Sequence, residues 1–344
     1  MRNRHFAIGI LVSIFVGLSA NAFEIEAEVS FGNGSEPNQM TILSTTDVEL
    51  FAPIIKAFRL QHPDIAVKYT VTSSGDIITA VTEEGLTFDV VISSAMDLQT
   101  KLANDGYARR HSSEATALVP EWGKWRDSIF AFTQEPAAIV LSLSAFEGLP
   151  IPHTRQELIE TLRKFPNRFH GRLGTYDVRD SGLGYLFATQ DSRTSDTYWR
   201  FTETFGGLNV KLYCCSSKMI DDVLSGDIAV AYNVLGSYAS ARDDASNDVL
   251  IIEPEDYTTV MLRTALIMGK SKNVDAAEDF IDHLLELAWA KSQSEAFMFP
   301  NKTQEEVDRT TRLRPIRLGP GLLVNLDRFK REKFIREWEN SILQ

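Results

Sequence analysis

Catalytic signatures are missing from this 344-residue chain. It has no G-x-S-x-G elbow, no H-E-x-x-H, no C-x-x-C and no Walker-type phosphate loop, so no motif supports acyl transfer, zinc hydrolysis, dithiol exchange or nucleotide hydrolysis. Ser181-Gly182-Leu183-Gly184 is too short for a dinucleotide fingerprint. The six histidines are scattered without metal-ligand spacing. The expectation is therefore a protein that is not an enzyme, with no resident metal and no cofactor. Cysteine is almost absent: the two residues, Cys214 and Cys215, are neighbours. An exported protein usually pairs its cysteines across the fold, and these are expected to be two small, semi-buried structural side chains.

Positive charge is scarce. Lys and Arg number 35 against 47 Asp and Glu, a formal net charge of −12. Such a surface repels nucleic acid and anionic lipid, although a pocket with its own dipoles can still hold a small anion. Long hydrophobic runs are also missing, except Phe6 to Leu18, which is too short to span a bilayer. It lies between Arg2 and Arg4 and an A-x-A site, Ala20-Asn21-Ala22. Residues 1–22 thus read as an export signal cleaved near Ala22. The acidic, Gly- and Ser-rich stretch from Phe23 to Asn38 is expected to be a loose arm.

What is present is alternation. Met40 to Leu43 is a short apolar strand, and Phe51, Ile54, Ile55 and Phe58 then recur at helical spacing until His62-Pro63. Ile65 to Val71 alternates as a strand, Asp76 to Glu84 reads as a helix, Phe88 to Ile92 as a buried strand and Met96 to Asn104 as a third helix. This order predicts a parallel sheet with right-handed crossovers. Ala137 to Leu143 suits a strand crossing into a second α/β unit, whose helix opens at the capping box Thr154 to Glu157. Strands are expected at Arg172 to Asp177, Leu212-Tyr213, Ile228 to Asn233, Val249 to Ile252 and Thr259 to Met268. Helices are expected at Ala276 to Ala290 and Leu322 to Trp338, separated by a polar stretch around Asn301 to Arg312. A return near Glu253 gives two lobes, 39–136 with 254–344 and 137–253, hinged around a cleft.

The strand ends carry an unusual density of hydroxyls. Ser44-Thr45-Thr46, Ser73-Ser74 and Ser93-Ser94 each sit between a strand and a helix. Asp180-Ser181-Gly182 and Cys215-Ser216-Ser217 hold the equivalent places in the second half, and Asn233 ends the strand at Tyr232. In an open α/β sheet such ends lie along the edge where ligands bind. Ser and Thr are preferred N-caps for local reasons, but one cap needs one oxygen and the doubled residues carry a spare. The candidate site is therefore Ser44, Thr45, Thr46, Ser73, Ser74, Ser93 and Ser94 from one lobe, and Ser181, Gly182, Tyr232 and Asn233 from the other. Amides at helix N-termini would supply partial positive charge for a phosphate or carboxylate.

Signal-like start, "ILSTTD", "FDVVISSAMD", "DSGLGYLFA", "GDIAVAYNVLGSYASAR", "RTALIMGKSKNVDAAEDFIDHLL" and "PIRLGPGLLVNLDRFKREKFIREW" together resemble the extracellular solute-binding proteins of bacterial ABC transporters. The similarity runs from about Met40 to Trp338. The branch it is most similar to contains ferric-ion-binding, sugar-phosphate-binding and phosphoglycerate-regulatory proteins. The resemblance implies a two-lobed periplasmic-binding-protein fold of type II, monomeric and periplasmic, which closes on a small anionic ligand in the cleft between its lobes. It further implies delivery to ABC permease subunits in the inner membrane; the alternatives are ligand sensing for a membrane histidine kinase and ferric-ion binding. Ferric members carry an adjacent Tyr-Tyr pair just after the Asn of the segment matched here by Ala231 to Tyr238. Leu235-Gly236 stand there in this chain, which favours a phosphorylated or carboxylated solute over a trivalent cation.

Overall fold

A computed structural model describes residues 23–240, 248–290, 294–299 and 312–344. The expected export signal and most of the polar stretch at 301–312 lie outside the described residues. Two mixed sheets, each covered by helices, form the two lobes.

The first lobe is built from β1 (Ala27–Phe31), β2 (Asn38–Ser44), α1 (Val48–Gln61), β3 (Ile65–Val71), α2 (Ser74–Ile78), β4 (Val90–Ser93), α3 (Met96–Asn104), α4 (Glu114–Leu118), β5 (Lys124–Trp125) and β6 (Ile129–Ala131). Its sheet order is β1-β3-β2-β4-β13-β6-β5, where β13 is Thr264–Ile267. β2 pairs in parallel with β3 and β4, as the alternating pattern predicts. The outer pairings are antiparallel, so the sheet is mixed rather than parallel throughout. α1 buries Phe51, Ile54, Ile55 and Phe58 against this sheet and against α11 (Val274–Trp289). Each such side chain removed from water contributes about 1.5–3 kcal/mol.

The second lobe holds β7 (Glu135–Ser142), α5 (Arg155–Lys164), α6 (Pro166–Phe169), β8 (Leu173–Tyr176), α7 (Gly182–Thr194), α8 (Thr197–Gly207), β9 (Lys211–Tyr213), α9 (Ser216–Leu224), β10 (Val230–Leu235), α10 (Gly236–Ser240), β11 (Val249–Ile252) and β12 (Thr258–Met261). Its order is β14-β12-β7-β10-β8-β9, with β11 also on β7 and β14 spanning Leu313–Pro315. The terminal helix α12 (Arg328–Ile342) packs on α8.

Four sequence expectations need correction. The stretch after Phe23 is no loose arm: Ala27–Phe31 pairs with Val67 to Val71 of β3, because Val29 and its neighbours complete an otherwise open sheet edge. The helix expected at Asp76 to Glu84 begins earlier, at Ser74, and is α-helical only to Ile78, continuing as a π-helix over Thr79–Glu83. Thr259 to Met268 is not one strand but two, β12 in the second sheet and β13 in the first. The chain therefore returns at Leu262-Arg263 rather than near Glu253, and it leaves at 132–134, just before β7. Finally, the tail 254–344, expected wholly in the first lobe, is divided: β13 and α11 join the first, while β12, β14 and α12 join the second. Strand pairing with β7 and helix packing on α8 decide this, and neither is visible in local periodicity.

The two crossing segments run side by side. Phe132 N–H donates to the Arg263 carbonyl at 3.0 Å, and Arg263 N–H to Thr133 Oγ1 at 3.0 Å. Arg263 Nε donates to Glu135 Oε1 at 3.0 Å, with both side chains fully buried. A cation on one crossing strand thus clasps a carboxylate on the other.

Candidate ligand-binding cleft

A cavity opens between the lobes where the strand ends of both sheets meet. From the first lobe it is lined by Thr45, Asp47, Thr72, Ser73, Ser74 and Ser94, with Glu26 ahead of β1. From the second it is lined by Tyr176, Ser181, Leu183, Leu235 and Tyr238, and by the turn Cys214 to Ser217; Arg263 lies on the wall at the crossing. The lobes touch beside it, where Gly182 N–H donates to Ser74 Oγ at 3.0 Å.

The doubled hydroxyls divide their work. Ser44 Oγ accepts from Tyr69 OH at 2.8 Å and from Thr46 N–H at 3.0 Å, and Thr46 Oγ1 accepts from Arg263 Nη1 at 2.7 Å. Both are fully buried away from the cavity. Thr45 between them faces the cavity, since successive residues in extended backbone point to opposite sides. Ser73 Oγ caps α2 at Asp76 N–H, 3.1 Å, while Ser74 is the residue that reaches across. Ser93 Oγ accepts from Ala95 N–H at 3.1 Å, while Ser94 lies beside Thr45, Oγ to Oγ1 3.4 Å.

In the second lobe Ser181 Oγ caps α7 at Gly184 N–H, 3.1 Å. Gly182 stands at the contact between lobes: a Cβ there would meet Leu98 and Ser74 at 2.7 Å. α9 begins at the cavity with Cys215 as N-cap and no side-chain cap. Its first-turn amides are therefore without an intrahelical partner. Ser216 Oγ shares a hydrogen bond with Tyr176 OH at 2.5 Å and accepts from Leu235 N–H at 3.1 Å.

Tyr232 and Asn233 are not brought to this cavity. β10 bulges between Tyr232 and Val234, and Asn233 adopts a positive φ of 61°. This turns Asn233 Nδ2 to donate to Asp191 Oδ2 at 2.8 Å, on α7 behind the sheet. Tyr232 OH donates to the same oxygen at 3.0 Å and accepts from Arg155 Nε at 2.6 Å. Its ring packs on Phe201, with centroids 4.1 Å apart. These two residues serve a buried polar cluster of the second lobe. Ser44, Thr46 and Ser93 likewise support the turns without lining the cavity.

Sequence reasoning missed several lining residues. Arg263 was legible as a lone cation inside the apolar run from Thr259 to Met268, matched by the lone acid Glu135 before Pro136. Arg172, Arg179 and Lys218 point elsewhere, to Gly226 O, to Asp177 and to Asp222. Cys214 and Cys215 are bonded to each other rather than being two separate thiols, and both line the cavity. Burial pushes the phenols of Tyr176 and Tyr238 well above their usual range, so both stay protonated. Among the described residues no group of His, Cys, Asp and Glu is arranged to hold a metal ion.

Residues 44–291 match the family model of the bacterial extracellular solute-binding proteins. The chain belongs to this family. Its fold is correspondingly the two-lobed periplasmic-binding-protein fold. A substrate-binding protein of an ABC transporter from Agrobacterium tumefaciens is 33% identical, with a TM-score of 0.84 over 94% of this chain and 100% of that one. The periplasmic binding protein AfuA from Actinobacillus pleuropneumoniae, solved with fructose-6-phosphate, gives 0.68 at 15% identity over 89% and 99%. Iron-bound HitA from Pseudomonas aeruginosa gives 0.65 at 16% identity over 89% and 99%. At these last identities the likeness concerns fold alone. A search of curated protein sequences found no match.

Proposed function

We propose that this solute-binding protein is the periplasmic receptor of an ABC importer and that it binds a small phosphorylated or carboxylated metabolite between its lobes. The observation that carries this reading is the convergence on one cavity of the N-terminal ends of α7 and α9 with the hydroxyls of Thr45, Ser74, Ser94 and Ser217. Amides at helix N-termini and neutral hydroxyls hold anions without a full countercharge. Arg263 adds positive potential, although its charge is largely balanced by Glu135. A hard trivalent cation needs several anionic oxygen donors, and among the described residues the cavity's two carboxylates, Glu26 and Asp47, belong to no group of three or more His, Cys, Asp and Glu that could hold a metal ion. Export past residue 22 and delivery to inner-membrane permease subunits complete the role.

Calorimetric titration of the mature chain with phosphoglycerate, glycerol phosphate, hexose phosphates, inorganic phosphate and ferric citrate tests it. One of the organic anions is expected to bind tightly. Tight binding of ferric iron alone would sink the reading.

A further inference from the structure

Asp97 is a buried carboxylate that the ligand cavity does not use. It lies in the first turn of α3 and is 2% exposed. Its Oδ1 accepts from Leu98 N–H at 2.9 Å. What covers it belongs to the other lobe. α3 packs against the 3-10 turn Pro320–Leu326 and against α7, and these two are tied together by Tyr185 OH, which donates to Asn325 O at 2.5 Å. The contact is tight: Leu98 Cδ1 lies 2.7 Å from where a Cβ on Gly182 would stand. The ionisable groups facing Asp97 are Tyr185 of α7 and Arg331 of α12. The turn Pro320–Leu326 carries no charged residue, and neither do β6 and β13, which pack on α3 from its own lobe. α2 brings one acid, Asp76, which accepts from Ser73 Oγ at 2.7 Å.

Closing the lobes therefore takes a carboxylate out of water without placing a cation against it. Arg331 pulls only weakly, because its Nη2 donates to Arg179 O at 3.3 Å and its guanidinium lies over the Tyr185 ring. Burial disfavours the charged form and pushes the Asp97 carboxyl from 3.8 up to about 7. When the lobes part, the carboxyl returns to water and to the ordinary carboxylate range. A state that binds a proton more tightly is favoured in acid. We propose that Asp97 is a proton-linked switch on lobe closure: the closed arrangement takes up one proton at this carboxyl, so the lobes close more readily, and hold solute tighter, in acid than above neutral pH. The preference for closure falls by about tenfold per pH unit from the ordinary carboxylate range up to about 7. Above that both arrangements are ionised at Asp97, and the preference changes no further.

Small-angle X-ray scattering of the mature chain, dialysed free of solute, tests this at pH 5 and pH 8. The wild type is expected to shift to a larger radius of gyration at pH 8. Asp97→Asn cannot ionise and should keep its pH 5 radius at pH 8. Asp97→Ser, a second variant in case the amide disturbs α3, should do the same. Burial at the cavity also pushes up the carboxyls of Glu26 and Asp47. The Glu26→Gln/Asp47→Asn variant is therefore the control, and it should retain more than half of the wild-type shift. Equal radii at both pH values in the wild type would overturn the switch. So would a shift undiminished in the Asp97 variants, or one abolished in the control. The inference uses the two-lobed fold and no property of the solute, so each of these failures leaves the anion reading standing.

Discussion

Thr45 and Ser74 each present a hydroxyl to the cavity, and each also accepts one backbone N–H, from Ser94 at 3.2 Å and from Gly182 at 3.0 Å. Neither hydroxyl caps a helix, so removing either should affect the ligand more than the fold. A hydrogen bond to a charged group contributes roughly 1.5–3 kcal/mol, so Thr45→Ala or Ser74→Ala should weaken binding by roughly one to two decades. Thermal unfolding of the same variants should shift only slightly. Arg263 behaves oppositely, because it is buried and shares its charge with Glu135. Glu135→Gln or Arg263→Met alone strands one buried charge and should cost about 3–5 kcal/mol in urea unfolding. Replacing both together with apolar residues should cost much less, and equal losses in single and double variants would show that the clasp does not act as a pair. The Cys214–Cys215 pair also faces the cavity, yet its sulfurs offer no strong donor to an anion. Changing both to Ser should leave affinity within a few-fold; a loss of about 100-fold, near 2.7 kcal/mol, would make the disulfide part of the recognition surface.

At the scale of elements, the position of α7 matters most, since its first turn reaches both the cavity and the opposite lobe. Gly184 lets it approach β8 closely: an added Cβ would lie 2.3 Å from Tyr176 Cβ. Gly184→Ala must push the helix away, at a cost of about 1–3 kcal/mol in stability. The shift would also displace Gly182 N–H from Ser74. Calorimetry should show weaker binding, and unchanged affinity would mean that α7 does not shape the site. Elements whose apolar pattern is local were legible beforehand, such as α1 from Phe51 to Phe58 and β3 from Ile65 to Val71. The edge strand at Ala27–Phe31 does alternate, Ala27, Val29 and Phe31 against Glu28 and Ser30, but the run is only five residues long and is followed at once by a Gly- and Ser-rich stretch. It becomes a strand only by pairing with β3, and it carries Glu26 to the cavity. The hydroxyl turns were legible as a group. Which member of each pair faces the ligand was not, since strand phase at a turn depends on tertiary bonds such as Tyr69 to Ser44. Tyr232 and Asn233 fell on the wrong side for a related reason, a bulge with no sequence signature besides the Asn itself.

At the scale of the whole molecule, two crossing strands at 132–134 and 262–263 join the lobes, and the Ser74–Gly182 bond links them across the cleft. Two-lobed proteins of this kind close by rotation about such short segments. Ligand that binds only the closed arrangement stabilises it by mass action. No helix among the described residues is long and apolar enough to cross a membrane. The central claim is that a small organic anion sits between the lobes on hydroxyls and helix N-termini. Native mass spectrometry of the mature chain, purified without denaturation, tests it most directly. The expected result is one small organic adduct of phosphorylated or carboxylated composition, absent from the Thr45→Ala/Ser74→Ala double variant. A ferric adduct, or an organic one retained equally by that variant, would contradict the claim.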